Sequence, residues 1–326
     1  MGPVADPGTR PVTEAWGPDD DEPRPHSGPV KVRVPAKINL HLGVGPLRPD
    51  GYHELNTVYH AISLFDEITA RHGDTLTLTM EGEGTGQLAL DDTNLIVRAA
   101  RALAARARVP AHARLHLKKS IPLAGGLAGG SADAAATLIA CDLLWGLGFS
   151  RDELAEIGAQ LGSDVPFLLY GGTALGTGHG EAVSPILARP TTWHWVVAVA
   201  DGGLATPAVY RELDALRAGS WPPPALESAD RLMSALRQRN PEVLGAALGN
   251  DLQPAALALR PQLADVLKAG TEAGALAGLV SGSGPTCVFL ASGAAHAEKI
   301  AEGLTAAGVC RAAVTARGPQ PGARVI

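Results

Sequence analysis

Apolar and polar residues alternate along residues 30–44, and this two-residue period is typical of a half-buried β-strand. The same alternation predicts two further strands within residues 57–80 and another at residues 113–121. From Leu95 onward the apolar residues recur at helical spacing, and residues 131–145 form a second run of helix formers. Strands and helices are therefore mixed in the first half of the chain.

A new series of elements begins after residues 187–192, which we interpret as a linker, because residues 193–200 start a fresh apolar strand. Residues 278–290 place a glycine loop between two apolar strands, a signal that a tight hairpin would also give. Helices are predicted near residues 232–236, 242–248, 261–269 and 295–307, and a strand near 309–316. The chain lacks the serial βαβ repeats of a doubly wound sheet, so the pattern predicts an α+β protein of two domains.

The predicted boundaries follow these changes of pattern, with a first domain at residues 29–190 and a second at residues 191–318. Residues 1–28 are dense in Pro, Gly and Asp and hold few large apolar side chains, which predicts a disordered tail. This segment also lacks the basic start and apolar core of a signal peptide, so we expect no secretion. Residues 319–326 are predicted to form a mobile tail.

Composition and charge narrow the function classes. The chain has 326 residues, 46% of them hydrophobic, and a formal net charge of −6, so no overall basic field favours nucleic acid or anionic lipid. No stretch of eighteen apolar residues is free of charges or glycines, and we expect no membrane span. Three cysteines far apart in sequence, without metal-ligand spacing, fit reduced thiols in a cytoplasmic protein. No obligate protein partner is indicated.

One loop, Pro-Leu-Ala-Gly-Gly-Leu-Ala-Gly-Gly-Ser at residues 122–131, lies between a predicted strand and a predicted helix. Glycines let backbone N–H groups approach an anion closely, and a helix N-terminus adds unpaired N–H groups and a positive dipole end. The loop is neither a P-loop, which needs Gly-Lys-Ser/Thr, nor a dinucleotide motif, because the glycine spacing differs. A plain glycine turn between strand and helix is the alternative.

Three polar residues are candidates for chemistry. Asp164 follows a predicted helix that closes at Gly162 and precedes a predicted apolar strand at residues 165–169, where partial burial would disfavour its charge unless a cation lay close. Lys37 and Asn39 fall on one face of the first strand. The alternatives are a turn or cap aspartate and a solvated strand lysine.

The glycine loop resembles the second motif of the GHMP kinases, where it wraps the phosphates of ATP, and residues 278–290 resemble their third motif. Within that superfamily, Pro-Ala-Lys-Ile-Asn-Leu at residues 35–40 and Arg-Pro-Asp-Gly-Tyr-His at residues 48–53 resemble the 4-diphosphocytidyl-2-C-methyl-D-erythritol kinases of the non-mevalonate isoprenoid pathway. Gly-Ser-Asp-Val-Pro-Phe at residues 162–167 and Asn-Asp-Leu-Gln-Pro at residues 250–254 match further motifs of that family.

The resemblance implies a fold, a reaction and a set of site residues. It implies a ribosomal S5-like first domain, a ferredoxin-like second domain and a cleft between them, in which ATP with Mg²⁺ would phosphorylate the 2-hydroxyl of a cytidyl diphosphate sugar alcohol. Asp164 would take or orient the hydroxyl proton, and Lys37 would face the transferred group. The expected substrate-binding residues are Asn39, Tyr52, His53, Thr206 and Tyr210. The expected ATP-binding residues are Asn94, Lys119, Pro122, Leu123, Ala124, Gly125, Gly126, Leu127, Ala128, Gly129, Gly130, Ser131 and Ala132.

The loop departs from the family pattern, because many relatives carry Gly-Gly-Gly-Leu-Gly-Gly-Gly-Ser-Ser-Asn where this chain has Ala-Gly-Gly-Leu-Ala-Gly-Gly-Ser-Ala-Asp. Ala132 removes a hydroxyl from the phosphate site. Asp133 adds a negative charge beside ATP, so we expect it to point away or to meet a cation. The ligand of Mg²⁺ stays open. Alternative functions are another GHMP enzyme, such as homoserine kinase or a mevalonate-pathway kinase, and a nucleotide sensor built on an inactive kinase.

Overall fold

The computed structural model describes residues 24–123, 125–187, 191–220, 222–226 and 228–326, and within these ranges the chain forms two β-sheets with helices packed on them. In chain order the strands are β1 (Val30–Leu47), β2 (His53–Arg71), β3 (Thr77–Gly82), β4 (Arg114–Lys119), β5 (Thr173–Thr177), β6 (Ala182–Pro185), β7 (Trp193–Val199), β8 (Gly249–Asn250), β9 (Ala277–Val280), β10 (Cys287–Ala291), β11 (Ala312–Gly318) and β12 (Arg324–Val325). The helices are α1 (Leu95–Ala107), α2 (Gly129–Trp145), α3 (Arg151–Leu161), α4 (Val165–Tyr170), α5 (Thr206–Ala218), α6 (Asp230–Gln238), α7 (Pro241–Gly245), α8 (Gln253–Leu259), α9 (Gln262–Glu272) and α10 (Ala294–Ala307). The α+β prediction is confirmed.

The first sheet is built around the long antiparallel pair β1 and β2, with the order β12-β1-β2-β4-β3 and with β5, β6 and β8 attached at its sides. Register shifts occur between Pro35 and Ala36 and between Asn39 and His41, so the pairing of β1 with β2 is irregular on both sides of Lys37. Such irregularities redirect side chains, and here they flank the candidate lysine.

Helix α2 packs against this sheet and is buried along most of its length, including Ala132, Ala136 and Leu144. Small alanines allow the helix to lie close to the strands, and burial on nearly all sides explains why its sequence shows no polar face. The helix therefore holds the glycine loop, which ends at its first turn, in a fixed position relative to β1.

The second sheet has the order β11-β7-β10-β9, and apolar residues cover both of its faces. Along β7, Trp195 and Val197 join the core of the first sheet, whereas Val196 and Ala198 join a second core with helices α5, α8, α9 and α10. This alternation is the strand period of two. It joins the two halves of the chain through one shared apolar face.

Residues 165–169 form most of helix α4, so the predicted apolar strand at this place is wrong. A short apolar run does not distinguish a buried strand from a buried helix by periodicity. Pro166 lies in the first turn of α4, where its missing N–H costs no hydrogen bond, and Phe167 and Leu168 are fully buried. Asp164 consequently stands at the start of a helix.

The C-terminal residues 319–326 were predicted to be a mobile tail, but they return to the first sheet as β12, which pairs with β1. The amide of Ala323 donates to the carbonyl of Leu168 at 2.9 Å, and the side chain of Ala323 is fully buried. The backbone N–H and C=O groups at the edge of β1 and at the end of α4 are hydrogen-bond partners for this segment. Its Pro/Gly-rich sequence does not reveal them. The tail stabilises the helix that follows Asp164.

Part of the predicted N-terminal tail is also placed. Residues 1–23 lie outside the described residues, whereas His26 donates its amide to the carbonyl of Leu143 at 3.2 Å and accepts from His72 at 2.9 Å. Residues 24–28 thus run along the end of α2.

Among the described helices, none is both long and apolar enough to cross a membrane.

Candidate active site

Two adjoining clefts lie between the domains. The inner cleft, of about 510 Å³, is lined by Lys37, Asp164, the glycine loop and residues 282–283. The outer cleft, of about 870 Å³, is lined by the turn at residues 51–53, by the start of α5 and by the β5–β6 turn. Leu55, Ser163, Thr206 and Tyr210 line both clefts. A ligand that fills the outer cleft can therefore reach into the inner one.

The glycine loop joins β4 to α2 and contacts the third-motif loop between β9 and β10. Gly126 has a φ of +75°, and a Cβ on it would clash with the carbonyl oxygen of Ser281. The hydroxyl of Ser281 donates to the carbonyl of Gly126 at 3.2 Å. Only glycine fits this close approach without strain. The two glycine-rich motifs of the sequence therefore form one surface of the inner cleft.

Part of the loop faces the cleft directly. The residues that line it are Gly125, Gly126, Ala128, Gly129, Gly130 and Ser131. Of the other loop residues predicted to bind ATP, Leu127 and Ala132 are fully buried, and Pro122 and Leu123 do not line the cleft. Ala124 lies outside the described residues. The first N–H groups of α2 have no partner within the helix, so this surface suits an anion.

Lys37 and Asp164 face each other across the inner cleft. Nζ of Lys37 lies 3.7 Å from Oδ2 of Asp164 and donates to Oδ1 of Asn39 at 2.7 Å. The Nδ2 atom of Asn39 donates in turn to the hydroxyl of Thr57 at 2.7 Å, which fixes the orientation of the amide. The ammonium is 5.7 Å from the ring centre of Tyr59. Burial, and then the nearby Asp164 carboxylate, raise the pKa of Tyr59, so its phenol stays protonated.

The third-motif loop is held by residues of the Asn-Asp-Leu-Gln signature. Nδ2 of Asn250 donates to the carbonyls of Val280 and Gly282 at 2.8 and 2.7 Å, and Gln253 accepts from the amide of Val280 at 2.9 Å. The neighbouring carboxylate of Asp251 accepts from the amide of Val44 at 2.8 Å. This signature therefore positions the loop that closes the inner cleft.

The side chain of Lys119, which we expect to border a nucleotide pocket, does not line either of the two clefts. Its Nζ atom is buried, 2.6 Å from Asp66 and 2.7 Å from Asp133, below the glycine loop. Asp133 thus meets a cation, as the sequence predicts. Asn94 is the N-cap of α1, accepting from the amide of Ile96 at 2.9 Å, and Leu95 beside it lines the inner cleft.

In the outer cleft, two histidines each stack on a tyrosine. His53 lies 5.1 Å from Tyr210 between ring centres and donates through Nε2 to Asp214 at 2.9 Å. Tyr52 lies 4.9 Å from His179. Tyr52 protrudes from this turn, with an exposed fraction of 62%, whereas His53 is buried at 6%. The outer cleft therefore offers flat rings beside oriented hydrogen-bonding groups.

Thr206 links this cleft to the third-motif loop, because its hydroxyl lies 2.9 Å from that of Ser283. The residues that sequence reasoning missed are Asp66, Tyr59, His179 and Asp214. The first two lie in the alternating strand β2, where a polar residue normally faces solvent, and the other two come from a turn and a helix far away in sequence. No local pattern in the sequence distinguishes them.

Comparison with known proteins places this geometry in context. The family model "GHMP kinases N terminal domain" matches residues 94–172, and "GHMP kinases C terminal" matches residues 232–310. The chain is 76% identical over 314 residues to the 4-diphosphocytidyl-2-C-methyl-D-erythritol kinase of Salinispora tropica, covering 96% of this chain and 100% of the relative. It is 53% identical over 300 residues to the protein of that name from Mycobacterium tuberculosis, covering 92% of this chain and 94% of the relative.

Solved structures show the same fold. A crystal structure of 4-(cytidine 5′-diphospho)-2C-methyl-D-erythritol kinase matches with a TM-score of 0.71 and 35% identity, covering 88% of this chain and 98% of that one. A homoserine kinase from Cytophaga hutchinsonii reaches the same TM-score of 0.71 at 20% identity, covering 92% of this chain and 98% of that one. The second match concerns the fold alone.

Proposed function

Because the chain belongs to the 4-diphosphocytidyl-2-C-methyl-D-erythritol kinases, within the GHMP kinases, we propose that its inner cleft transfers a phosphoryl group and its outer cleft selects the acceptor. The protein is a small-molecule kinase that uses ATP and a cytidyl diphosphate sugar alcohol, in the non-mevalonate route to isoprenoid precursors. The acceptor is the 2-hydroxyl of the methylerythritol unit.

Phosphoryl transfer needs in-line positioning and neutralisation of charge more than covalent help from the protein. We assign the first task to the glycine loop, whose backbone N–H groups and helix N-terminus suit the phosphates of ATP. Asp164 is the group that accepts or orients the proton of the attacking hydroxyl. Lys37, fixed by Asn39, faces the transferred group. The single observation that carries this assignment is the 3.7 Å approach of Lys37 to Asp164 beside the start of α2.

Mg²⁺ belongs to this proposal. Among the described residues no group of three or more His, Cys, Asp or Glu side chains is arranged for a metal ion. The carboxyl of Asp133 forms an ion pair with Lys119. Mg²⁺ in kinases commonly takes only one or two protein ligands and completes its shell with phosphates and water. The hydroxyl of Ser131 and the carboxylate of Asp164, which line the inner cleft, fit that need. Bound there, the ion would neutralise phosphate charge.

For the acceptor, we assign the cytosine end to the outer cleft. Tyr52, His53, Thr206 and Tyr210 line it, together with Asp214. A cytosine ring has a flat face that aromatic side chains stack on and an edge that a histidine can hydrogen-bond. The diphosphate and methylerythritol would then extend toward Asn39 and Asp164.

Buried free thiols at Cys141 and Cys287 support a reducing compartment, and we infer a cytoplasmic enzyme.

The experiment is Asp164→Asn, compared with Asp265→Asn on the exposed side of α9 as a matched control. The amide keeps the size of the side chain but cannot accept a proton, so kcat should fall by about 10²-fold to 10⁴-fold. The Kd for ATP measured without Mg²⁺ should stay within about threefold, because the loop binds the nucleotide. Turnover of Asp164→Asn equal to that of Asp265→Asn would overturn the assignment.

A further inference from the structure

Helix α5 presents one stripe of polar side chains to the outer cleft. Thr206, Tyr210 and Asp214 follow one another at intervals of four residues, so they lie on one face of the helix, and all three line that cleft. Asp214, one turn after Tyr210, therefore brings a carboxylate to the wall of the proposed acceptor site.

The carboxylate of Asp214 contacts the imidazole of His53, the first residue of β2. Oδ1 of Asp214 lies 2.9 Å from Nε2 of His53, and the side chain of His53 is only 5% exposed. The same imidazole stacks on Tyr210, with 5.1 Å between the ring centres and an angle of 30° between the ring planes. Two residues of one helix thus fix both the plane of the imidazole and its rotation within that plane.

This hydrogen bond decides which ring nitrogen of His53 carries the proton. A carboxylate oxygen accepts hydrogen bonds and cannot donate them, so Nε2 holds the proton that it shares with Asp214. In a neutral imidazole the other nitrogen then has a free lone pair and is an acceptor. Among the described residues Nδ1 of His53 has no hydrogen-bond partner, and it is not one of the enclosed polar atoms. Nδ1 is therefore open to a donor in the outer cleft.

The second histidine of the outer cleft is held much less firmly. Nε2 of His179 lies 3.4 Å from Oδ2 of Asp50, and the two side chains are exposed by 38% and 41%. A pair that is exposed on both sides and separated by this distance holds its geometry weakly. Of these two histidines, His53 is the one whose tautomer is fixed by a short hydrogen bond.

A fixed acceptor in this position distinguishes pyrimidine bases. The edge of cytosine presents a 4-amino donor, whereas uracil and thymine present a 4-carbonyl acceptor at the same place. The lone pair of Nδ1 therefore attracts the amino group and repels the carbonyl. A site built to hydrogen-bond one polar group rejects a ligand that lacks this group more strongly than an apolar pocket can.

We propose that Asp214 is a positioning residue that fixes His53 as the Nε2–H tautomer, so that Nδ1 accepts from the 4-amino group of a cytidyl substrate and rejects a uridyl one. The proposal rests on the assignment of the acceptor's base to the outer cleft. Without the carboxylate, the imidazole is free to move its proton to Nδ1, where it would donate to the carbonyl of uracil. Asp214 thus acts on the choice of substrate through His53.

The first test uses Asp214→Asn, because an amide either accepts from Nε2–H or donates to a bare Nε2, and so allows both tautomers of His53. Turnover is measured with 4-diphosphocytidyl-2-C-methyl-D-erythritol and with its uridyl analogue. We expect the parent to favour the cytidyl compound in kcat/KM by about 10²-fold or more. In Asp214→Asn this preference should fall by about 10-fold or more, through KM, while kcat for the cytidyl compound stays within about threefold.

Glu212→Gln is the matched control, because it removes a negative charge from the same helix at a position that lines neither cleft. Its preference between the two substrates should equal that of the parent. A second measurement, nitrogen NMR of the imidazole at pH 8.5 without substrate, shows which ring nitrogen holds the proton, and His53→Gln identifies the signal. We expect the proton on Nε2 alone in the parent and on both nitrogens in exchange in Asp214→Asn.

A proton on Nδ1 of His53 in the parent would overturn the proposal. An equal loss of both substrates in Asp214→Asn, or an unchanged preference between them, would do the same, since the carboxylate would then only support the fold. Failure of the proposed function looks different, because the parent would phosphorylate neither compound. Calorimetry with cytidine diphosphate and uridine diphosphate then measures the preference without transfer, and equal Kd values for the two in the parent would contradict the role of Asp214.

Discussion

The ammonium of Lys37 lies 3.7 Å from the carboxylate of Asp164, although the two residues are far apart in the chain. Lys37 comes from the centre of β1, and Asp164 immediately precedes α4. Both side chains line the inner cleft beside the glycine loop. One cation and one candidate proton acceptor thus meet where the transferred phosphoryl group would lie.

Removing the cation should therefore affect catalysis more than binding. For Lys37→Ala we expect kcat to fall by about 10²-fold to 10³-fold, with a small change in the Kd for ATP. Lys37→Arg should restore only part of the activity, because the planar guanidinium cannot occupy the place of a compact ammonium beside Asn39. Steady-state kinetics and calorimetry measure both quantities. Lys31→Ala, at the start of β1, is the control and should change neither, because its half-exposed side chain pairs with Glu67 and lines neither cleft.

His53 should select the acceptor and not the nucleotide, because it lines the outer cleft and not the inner one. Replacing it by alanine removes a hydrogen-bonding ring and should raise KM for the cytidyl substrate by about 10-fold to 100-fold. KM for ATP should be unchanged. His116→Ala serves as the control, because the side chain of His116 is 43% exposed and lines neither cleft. A collapse of ATP affinity with an unchanged KM for the cytidyl substrate would reverse the assignment of the two clefts.

Ala128 has a left-handed backbone, with a φ of +56°, at the N-cap of α2. Glycine adopts this conformation without the steric cost that a Cβ imposes. Ala128→Gly should stabilise the fold by about 1 kcal/mol and raise Tm by about 2–4 °C. Thermal unfolding measures the change. In Ala155→Gly, within α3, the same substitution should instead cost about 0.5–1 kcal/mol, and equal effects at the two sites would contradict the explanation.

The C-terminal strand should matter for stability. Deleting residues 319–326 removes the pairing of β12 with β1 and exposes the end of α4, so Tm should fall by about 4 °C or more. Activity should decline too, because α4 follows Asp164. Val325→Ala is the control, because it retains the backbone pairing of β12 with β1 and shortens only a half-exposed side chain. It should change Tm little. A deletion variant with the Tm of the parent would mean that this strand does not support the domain.

Much of the fold could be predicted from the sequence. The alternation along β1 and the helical spacing after Leu95 correspond to elements of the structure, and so do both glycine loops. The exceptions have physical reasons. Residues 165–169 are a short apolar run, which is equally compatible with strand and helix, and residues 319–326 pair with a distant strand edge that no local pattern reveals.

The candidate site, like the fold, could be predicted from the sequence only in part. Motif resemblance located Lys37 and Asp164, and the structure brings them together in one cleft. The motif resemblance could not show that the side chain of Lys119 lies outside the inner cleft. Its partner Asp66 lies in an alternating strand, where an acidic residue normally faces solvent. Burial and long-range pairing decide the role of such residues, and both appear only in three dimensions.

The identity of the acceptor is measured most directly by phosphorylation of competing acceptors by the full chain with ATP. Equal concentrations of 4-diphosphocytidyl-2-C-methyl-D-erythritol, homoserine and mevalonate are compared by kcat/KM, and phosphorus NMR identifies the product. We expect turnover of the cytidyl compound alone, with a new phosphomonoester on its 2-hydroxyl. Comparable phosphorylation of homoserine or mevalonate, or a phosphate on another hydroxyl, would contradict it.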